Sequence, residues 1–173
     1  MSVLPDILAP NLDVVFCGTA VGEASASRGH YYSGPGNKFW QLLHEAGFTA
    51  TRLRPEDDVK LPSLGLGITD LVKDVAQSHD RGLDFSKTQF AAQIEEASPR
   101  WIAFNGLTSG RAAARRLGHH ATGLGHHATG LGQQPWQIGQ SQVYVLPSSS
   151  AANATLRYDE KLKWWTNLAH LAK

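Results

Sequence analysis

A chain of 173 residues that is 42% apolar and 9% aromatic, five of its residues Trp, can bury one sizeable core, which excludes a disordered chain. A formal charge of only +1 excludes a global basic field, so contact with nucleic acid has to come from a local patch. Cys17 is the one cysteine, which excludes an internal disulfide or a thiolate-held iron–sulfur cluster within the chain. No run approaches the roughly 18 apolar residues that a membrane span requires.

The opening Met1-Ser2-Val3-Leu4-Pro5-Asp6 has no basic stretch leading into an apolar one. The expected compartment is therefore the cytoplasm, on the nucleoid if the source is bacterial. Val14-Val15-Phe16-Cys17-Gly18 reads as a buried strand ending in glycine. The Gly- and Ser-rich stretch from Gly18 to Gly36 reads as a long functional loop. Phe39, Leu42, Leu43 and Ala46 recur at helical spacing, with Gly47 as the stop. Leu64 to Leu71 reads as a second strand that runs into a loop at Thr69-Asp70, and 86–97 as a helix ended by Pro99.

Trp101-Ile102-Ala103-Phe104 is a third strand, closed by Asn105-Gly106. Thr108 is the expected N-cap of a helix through Leu117. Val143 to Leu146 is a further strand, and the last helix starts near Tyr158, with Leu162, Trp165, Leu168 and Ala169 on its buried face. Strands alternating with helices imply a mainly parallel sheet covered on both faces, whose site lies at the carboxyl ends of the strands.

Residues Gly118–Leu124 (Gly-His-His-Ala-Thr-Gly-Leu) are repeated at Gly125–Leu131. No carboxylate or thiolate accompanies the paired histidines, so the repeat (118–132) is expected to be a surface loop lengthened by duplication, with no metal.

Three segments carry candidate chemistry. Gly18-Thr19-Ala20-Val21-Gly22 follows the first strand, and its glycines allow close backbone approach to a ligand; neither a Walker loop nor a dinucleotide fingerprint is present. Gly29-His30-Tyr31-Tyr32-Ser33-Gly34-Pro35-Gly36-Asn37-Lys38-Phe39-Trp40 sets two aromatics on a Gly/Pro-rich loop, where they offer flat faces to a base, while Asn37 stands where a helix cap belongs. Leu146-Pro147-Ser148-Ser149-Ser150-Ala151-Ala152-Asn153-Ala154 follows a strand and precedes a helix, with small hydroxyls suited either to phosphates or to an ordinary turn.

In this order and spacing the three segments resemble the uracil-DNA glycosylase superfamily, between its mismatch-specific uracil/thymine branch and its hypoxanthine-type branch. Val14–Gly22 is similar to the first motif of the mismatch-specific enzymes, and Leu146–Ala154 to the Leu-Pro-Ser-x-Ser-x-Ala-Asn-Ala pattern of the hypoxanthine type. Gly67–Val72 and Phe104–Gly106 fall at further strand ends of the superfamily. The sequence departs from the mismatch-specific branch at Ala20 and Ser148, where that branch has asparagines. It has neither the Asp and His of the family-one enzymes nor the four cysteines of the iron–sulfur branches.

The resemblance implies a three-layer α/β/α sandwich forming one domain over 1–173. It implies a monofunctional, cofactor-free hydrolase that acts as a monomer on DNA. The enzyme would flip out uracil, and deaminated bases such as hypoxanthine or xanthine, and cut the N-glycosidic bond. Tyr32 would be the platform under the base, Gly18, Thr19 and Ala20 would read its edge, and Asn105 would serve either as reader or as turn residue. Asn37 or Asp70 would handle the attacking water, and Ser148, Ser149, Ser150 and Asn153 would contact the DNA. Two rivals stand beside this reading. One is a glycosylase-fold module that binds nucleic acid without catalysis, and the other is a serine esterase, for which the Gly-x-Ser-x-Gly elbow is missing.

Overall fold

The apolar runs at 14–18, 66–70, 101–105 and 141–146 pair side by side because each can bury both faces. In the computed structural model, which describes residues 1–119, 129–153 and 155–173, they are β1 (Val14–Gly18), β2 (Leu66–Asp70), β3 (Trp101–Asn105) and β5 (Ser141–Leu146). A further strand, β4 (Gly132–Ile138), completes a sheet of order β2-β1-β3-β5-β4. β1 pairs in parallel with β2 and β3, and β3 with β5, while β4 is antiparallel to β5. The first three strands are buried along their whole length, as a sheet covered on both sides requires.

Side chains alternate between two layers. Val14, Phe16, Ala103, Tyr144 and Leu146 face α2 (Phe39–Glu45) and α5 (Tyr158–Leu171). Val15, Cys17, Ile102, Phe104, Val143 and Val145 face α3 (Phe90–Ala97) and α4 (Leu107–Arg116). A short helix, α1 (Glu23–Arg28), lies inside the long loop after β1, and 3₁₀ turns span Pro55–Leu64.

Several boundaries differ from the sequence expectation. α4 begins at Leu107, and the residue before it is Gly106 at φ 124°, a conformation open to glycine, so Thr108 is inside the helix and does not cap it. α3 begins only at Phe90, because the Asp84 carboxylate accepts the Ser86 N–H and holds the preceding stretch in a turn. β4 escapes the apolar pattern, since three glutamines and Pro135 interrupt it; the sheet edge and a register shift between Gln133 and Gln137 accommodate them. Of the duplicated segment, residues 120–128 lie outside the described residues.

Trp165 joins the layers to the site. Its ring is fully buried and stacks on Phe16 at 5.5 Å, and its indole N–H donates to the Pro147 carbonyl at 3.2 Å. Trp165→Ala removes both contacts and is expected to cost about 3–5 kcal/mol of stability in urea titrations, the range for truncating a buried aromatic.

Candidate active site

In a parallel sheet the carboxyl ends of all strands point the same way, so the loops that follow them meet. Here they enclose a cavity of about 640 Å³. Gly18, Asp70 and Asn105, the last residues of β1, β2 and β3, lie buried at its floor. Thr19, Ala20 and Asn37 are half-buried in its walls, and Ala151, Ala152 and Asn153 are exposed at its rim.

The floor dictates a glycine at position 18. A Cβ there would stand 2.6 Å from the Asp70 Oδ1 and 3.1 Å from the Tyr32 Oη, so both side chains occupy the space a larger residue would need. Tyr32 thus points toward the glycine-bracketed turn. Its ring stacks on Phe39 at 4.2 Å between centroids, and Phe39 meets Phe16 and Trp165 edge-on, which anchors the shelf in the core. Tyr31, by contrast, is structural: its hydroxyl donates to the Pro5 carbonyl and its N–H to Asp58.

The turn after β1 is fastened through its carbonyls. Leu71, Val72 and Gln77 donate their N–H groups to the oxygens of Gly18, Thr19 and Val21, at 3.0, 2.8 and 2.8 Å. Asn37 Oδ1 accepts the Phe39 N–H at 3.0 Å in a turn just before α2, whose N-cap position is Lys38; the bond fixes the amide's orientation while leaving a second lone pair. Asn105 spends its amide on Ser149: Nδ2 donates to Ser149 Oγ at 2.9 Å, and Oδ1 accepts the Ser149 N–H at 3.0 Å.

Ser149 is 1% exposed, and its carbonyl accepts the Lys38 N–H, so it is a joint between loops; the expectation that it touches a phosphate is corrected. Ser148 and Ser150 are half-buried, each hydroxyl accepting a backbone N–H two residues on. Asn153 is exposed, and its carbonyl is held by the buried Lys161 ammonium at 2.8 Å.

Asp70 has the most unusual electrostatics of the floor. It is 4% exposed, and its Oδ2 is buried with no donor among the described residues. Burial pushes its pKa up to about 8, with Lys73 opposing and Asp6 adding to the rise. The Tyr32 phenol is pushed well above its ordinary range, first by burial and then by Asp70; the Asn105 amide beside it opposes this, although no hydrogen bond satisfies the hydroxyl.

One wall carries no motif that the sequence reading singled out. Gln77–Asp80, after β2, lines the cavity and is tied to the first turn by the Thr19 hydroxyl, which donates to Asp80 at 2.6 Å. Only the general rule for strand ends pointed there. Arg111, Arg115 and Arg116 are exposed, the last two in the final turn of α4, whereas the start of that helix borders the cavity.

Comparison with known proteins agrees with this architecture. The sequence profile of the uracil DNA glycosylase superfamily matches residues 5–169, and the chain belongs to that superfamily. The fold is similar to the solution structure of a "putative Uracil DNA glycosylase" from Methanosarcina acetivorans. That match has a TM-score of 0.60 and 25% sequence identity, and it covers 98% of this chain and 97% of the other. A glycosylase-type activity on DNA follows from the family. Among the described residues no helix is long and apolar enough to cross a membrane.

Two outcomes test this geometry. Asn105→Ala leaves the Ser149 N–H buried without an acceptor, and is expected to lower stability by about 1–3 kcal/mol in chemical denaturation. Asp70 holds its proton in the folded state at a pH where the unfolded chain has lost it. Stability from this group is therefore present at acid pH and lost as pH rises toward about 8. Asp70→Asn is expected to flatten that decline in melting temperatures measured from pH 5 to 9.

Proposed function

We propose that this protein is a monofunctional DNA glycosylase that takes a flipped base, uracil and related deaminated bases such as hypoxanthine or xanthine, into this cavity and hydrolyses its N-glycosidic bond. One observation carries the reading: Tyr32, the turn Gly18–Ala20 and the Ser148–Asn153 loop line one cavity, with the Tyr32 hydroxyl close against Gly18. A cavity of about 640 Å³ is within the span of small-ligand clefts, roughly 300–1,000 Å³. A base inserted there would lie against the Tyr32 ring, which packing on Phe39 prevents from yielding. The N–H side of the turn, unused by the bonds that fasten it, would face the base as negative charge develops on it.

Hydrolysis needs a water held against the sugar carbon. Ala20 offers no side chain for this. Asn37, oriented by its bond to Phe39 N–H and half-buried in the cavity wall, would accept a hydrogen bond from that water and aim it. It is too weak a base to remove a proton, so its contribution is orientation alone. No lysine is among the described residues that line the cavity, which supports cleavage by water without a Schiff base or strand scission. The reaction as derived calls for no cofactor.

A panel of single-lesion oligonucleotides, single- and double-stranded, tests the activity by the abasic sites produced. Excision of at least one deaminated base is expected; tight binding with no abasic product would instead identify a catalytically silent binding module, the reading that Ala20 favours. Asn37→Ala is expected to slow single-turnover excision by about 100-fold, while the lost acceptor for the Phe39 N–H lowers stability by only about 1 kcal/mol. A wild-type rate in that variant would remove Asn37 from the mechanism.

A further inference from the structure

We infer that Asp70 acts as an un-ionised carboxylic acid at the floor of the cavity, donating a hydrogen bond to the nucleobase as it departs. The inference rests on the glycosylase reading above and assigns that reaction a further catalytic residue, with a role opposite to that of a general base.

Position is the first ground. Asp70 ends β2 buried in the cavity, against Gly18 and near the Tyr32 hydroxyl, whereas Asn37, Ser148 and Ser150 are half-buried and Ala151–Asn153 are exposed at the rim. A nucleotide that enters base first leaves its sugar near the mouth. Asp70 then meets the base edge and not the anomeric carbon.

The second ground is the lack of any group that would hold a carboxylate there. Its Oδ2 is sealed from solvent without a donor, a costly arrangement for an anion and a tolerable one for a neutral acid. Lys73 is the nearby cation, yet its ammonium is spent elsewhere: it donates to both Asp6 oxygens at 2.8 and 2.9 Å and to the Thr69 hydroxyl at 2.7 Å. Cys17 from β1, Tyr31 and Tyr32 from the aromatic loop and Asp6 from the N-terminal segment also interact with Asp70, and none of these four side chains is of a basic type; His79 and Asp80 stand in the Gln77–Asp80 wall of the same cavity. The raised pKa, about 8, agrees.

The third ground is chemical. As the C1′–N bond breaks, its electron pair goes to the base nitrogen, and the base becomes an anion. Water bonds to C1′, and the proton it sheds ends on the departed base through solvent. An ionised Asp70 would repel that anion inside a poorly solvated floor, whereas a carboxylic O–H stabilises it and keeps its own proton throughout.

Single-turnover excision of the best lesion in the panel, measured from pH 6 to 9.5, tests this with the wild type, Asp70→Asn and Asp70→Ala. The wild-type rate is expected to hold to about pH 8 and then fall toward tenfold per unit. Asp70→Ala is expected to lose about 100-fold or more at pH 7. Asp70→Asn, a neutral donor of the same shape, is expected to recover most of that loss, to within tenfold of wild type, and to lack the alkaline fall. A substrate's own ionisation would persist in Asp70→Asn, which separates it from Asp70. A wild-type rate that rises between pH 7 and 9, or an Asp70→Asn protein that is folded yet as slow as Asp70→Ala, would show that a carboxylate is needed and overturn the inference while leaving the glycosylase reading intact. No excision of any lesion by the wild type would overturn both.

Discussion

The contact on which the site depends is three-sided. At the end of β1 the backbone of Gly18 is closed in by the Asp70 carboxyl from β2 and the Tyr32 hydroxyl from the aromatic loop. Parallel pairing sets Gly18 beside Asp70 in register, so the sheet itself delivers the acid to the glycine. The missing side chain lets Tyr32 descend to the floor. A fully buried Phe16 and a Trp165 stacked on it form the base beneath the shelf. The cavity is thus a consequence of strand register and aromatic packing more than of loop design.

Tyr32 also carries strain. It sits at φ 52°, a left-handed conformation that is uncommon for residues other than glycine, and such backbones persist only when surrounding contacts over-determine them. Here the stack on Phe39, the neighbouring Tyr31 anchored to Pro5 and Asp58, and the Trp40 indole donating to the Tyr31 carbonyl supply those contacts. The Ser-rich loop is anchored to the same core from the other side. Trp165 holds Pro147, Asn105 holds Ser149, and Lys161 holds Asn153. Shelf and loop are therefore fixed to one aromatic cluster, which gives the rigidity that the proposed reception of a flipped base in a single geometry would require.

Much of this was legible in the sequence. Continuous apolar runs identified four parallel strands, because burial on both faces leaves no polar alternation to misread, and the last helix stood out through its 3.6-residue pattern. The strand-end rule located the cavity, and the motif resemblance pointed to Tyr32 and Asn37 within it. Tertiary information was needed for the rest. β4 is polar because it lies at an edge, and its pairing is visible only beside β5. Ser149 looks like any loop serine until Asn105 is seen to enclose it. The Gln77–Asp80 wall has no pattern of its own and acquires a role only through Thr19. Asp70 reads as a carboxylate in sequence, and its sealed oxygen and the diversion of Lys73 to Asp6, on which the inference of a retained proton rests, are visible only in the folded chain.

The central claim is that a base leaves the DNA stack and comes to rest on the Tyr32 shelf, its edge toward Gly18 and Asp70. A crystal structure of the protein with DNA carrying a non-hydrolysable deaminated nucleotide tests it most directly. The account requires an extruded base in van der Waals contact with the Tyr32 ring, within hydrogen-bond range of the Asp70 carboxyl and the N–H groups of the Thr19–Ala20 turn. A base that remains stacked in the duplex, or one bound outside a water-filled cavity, would contradict it.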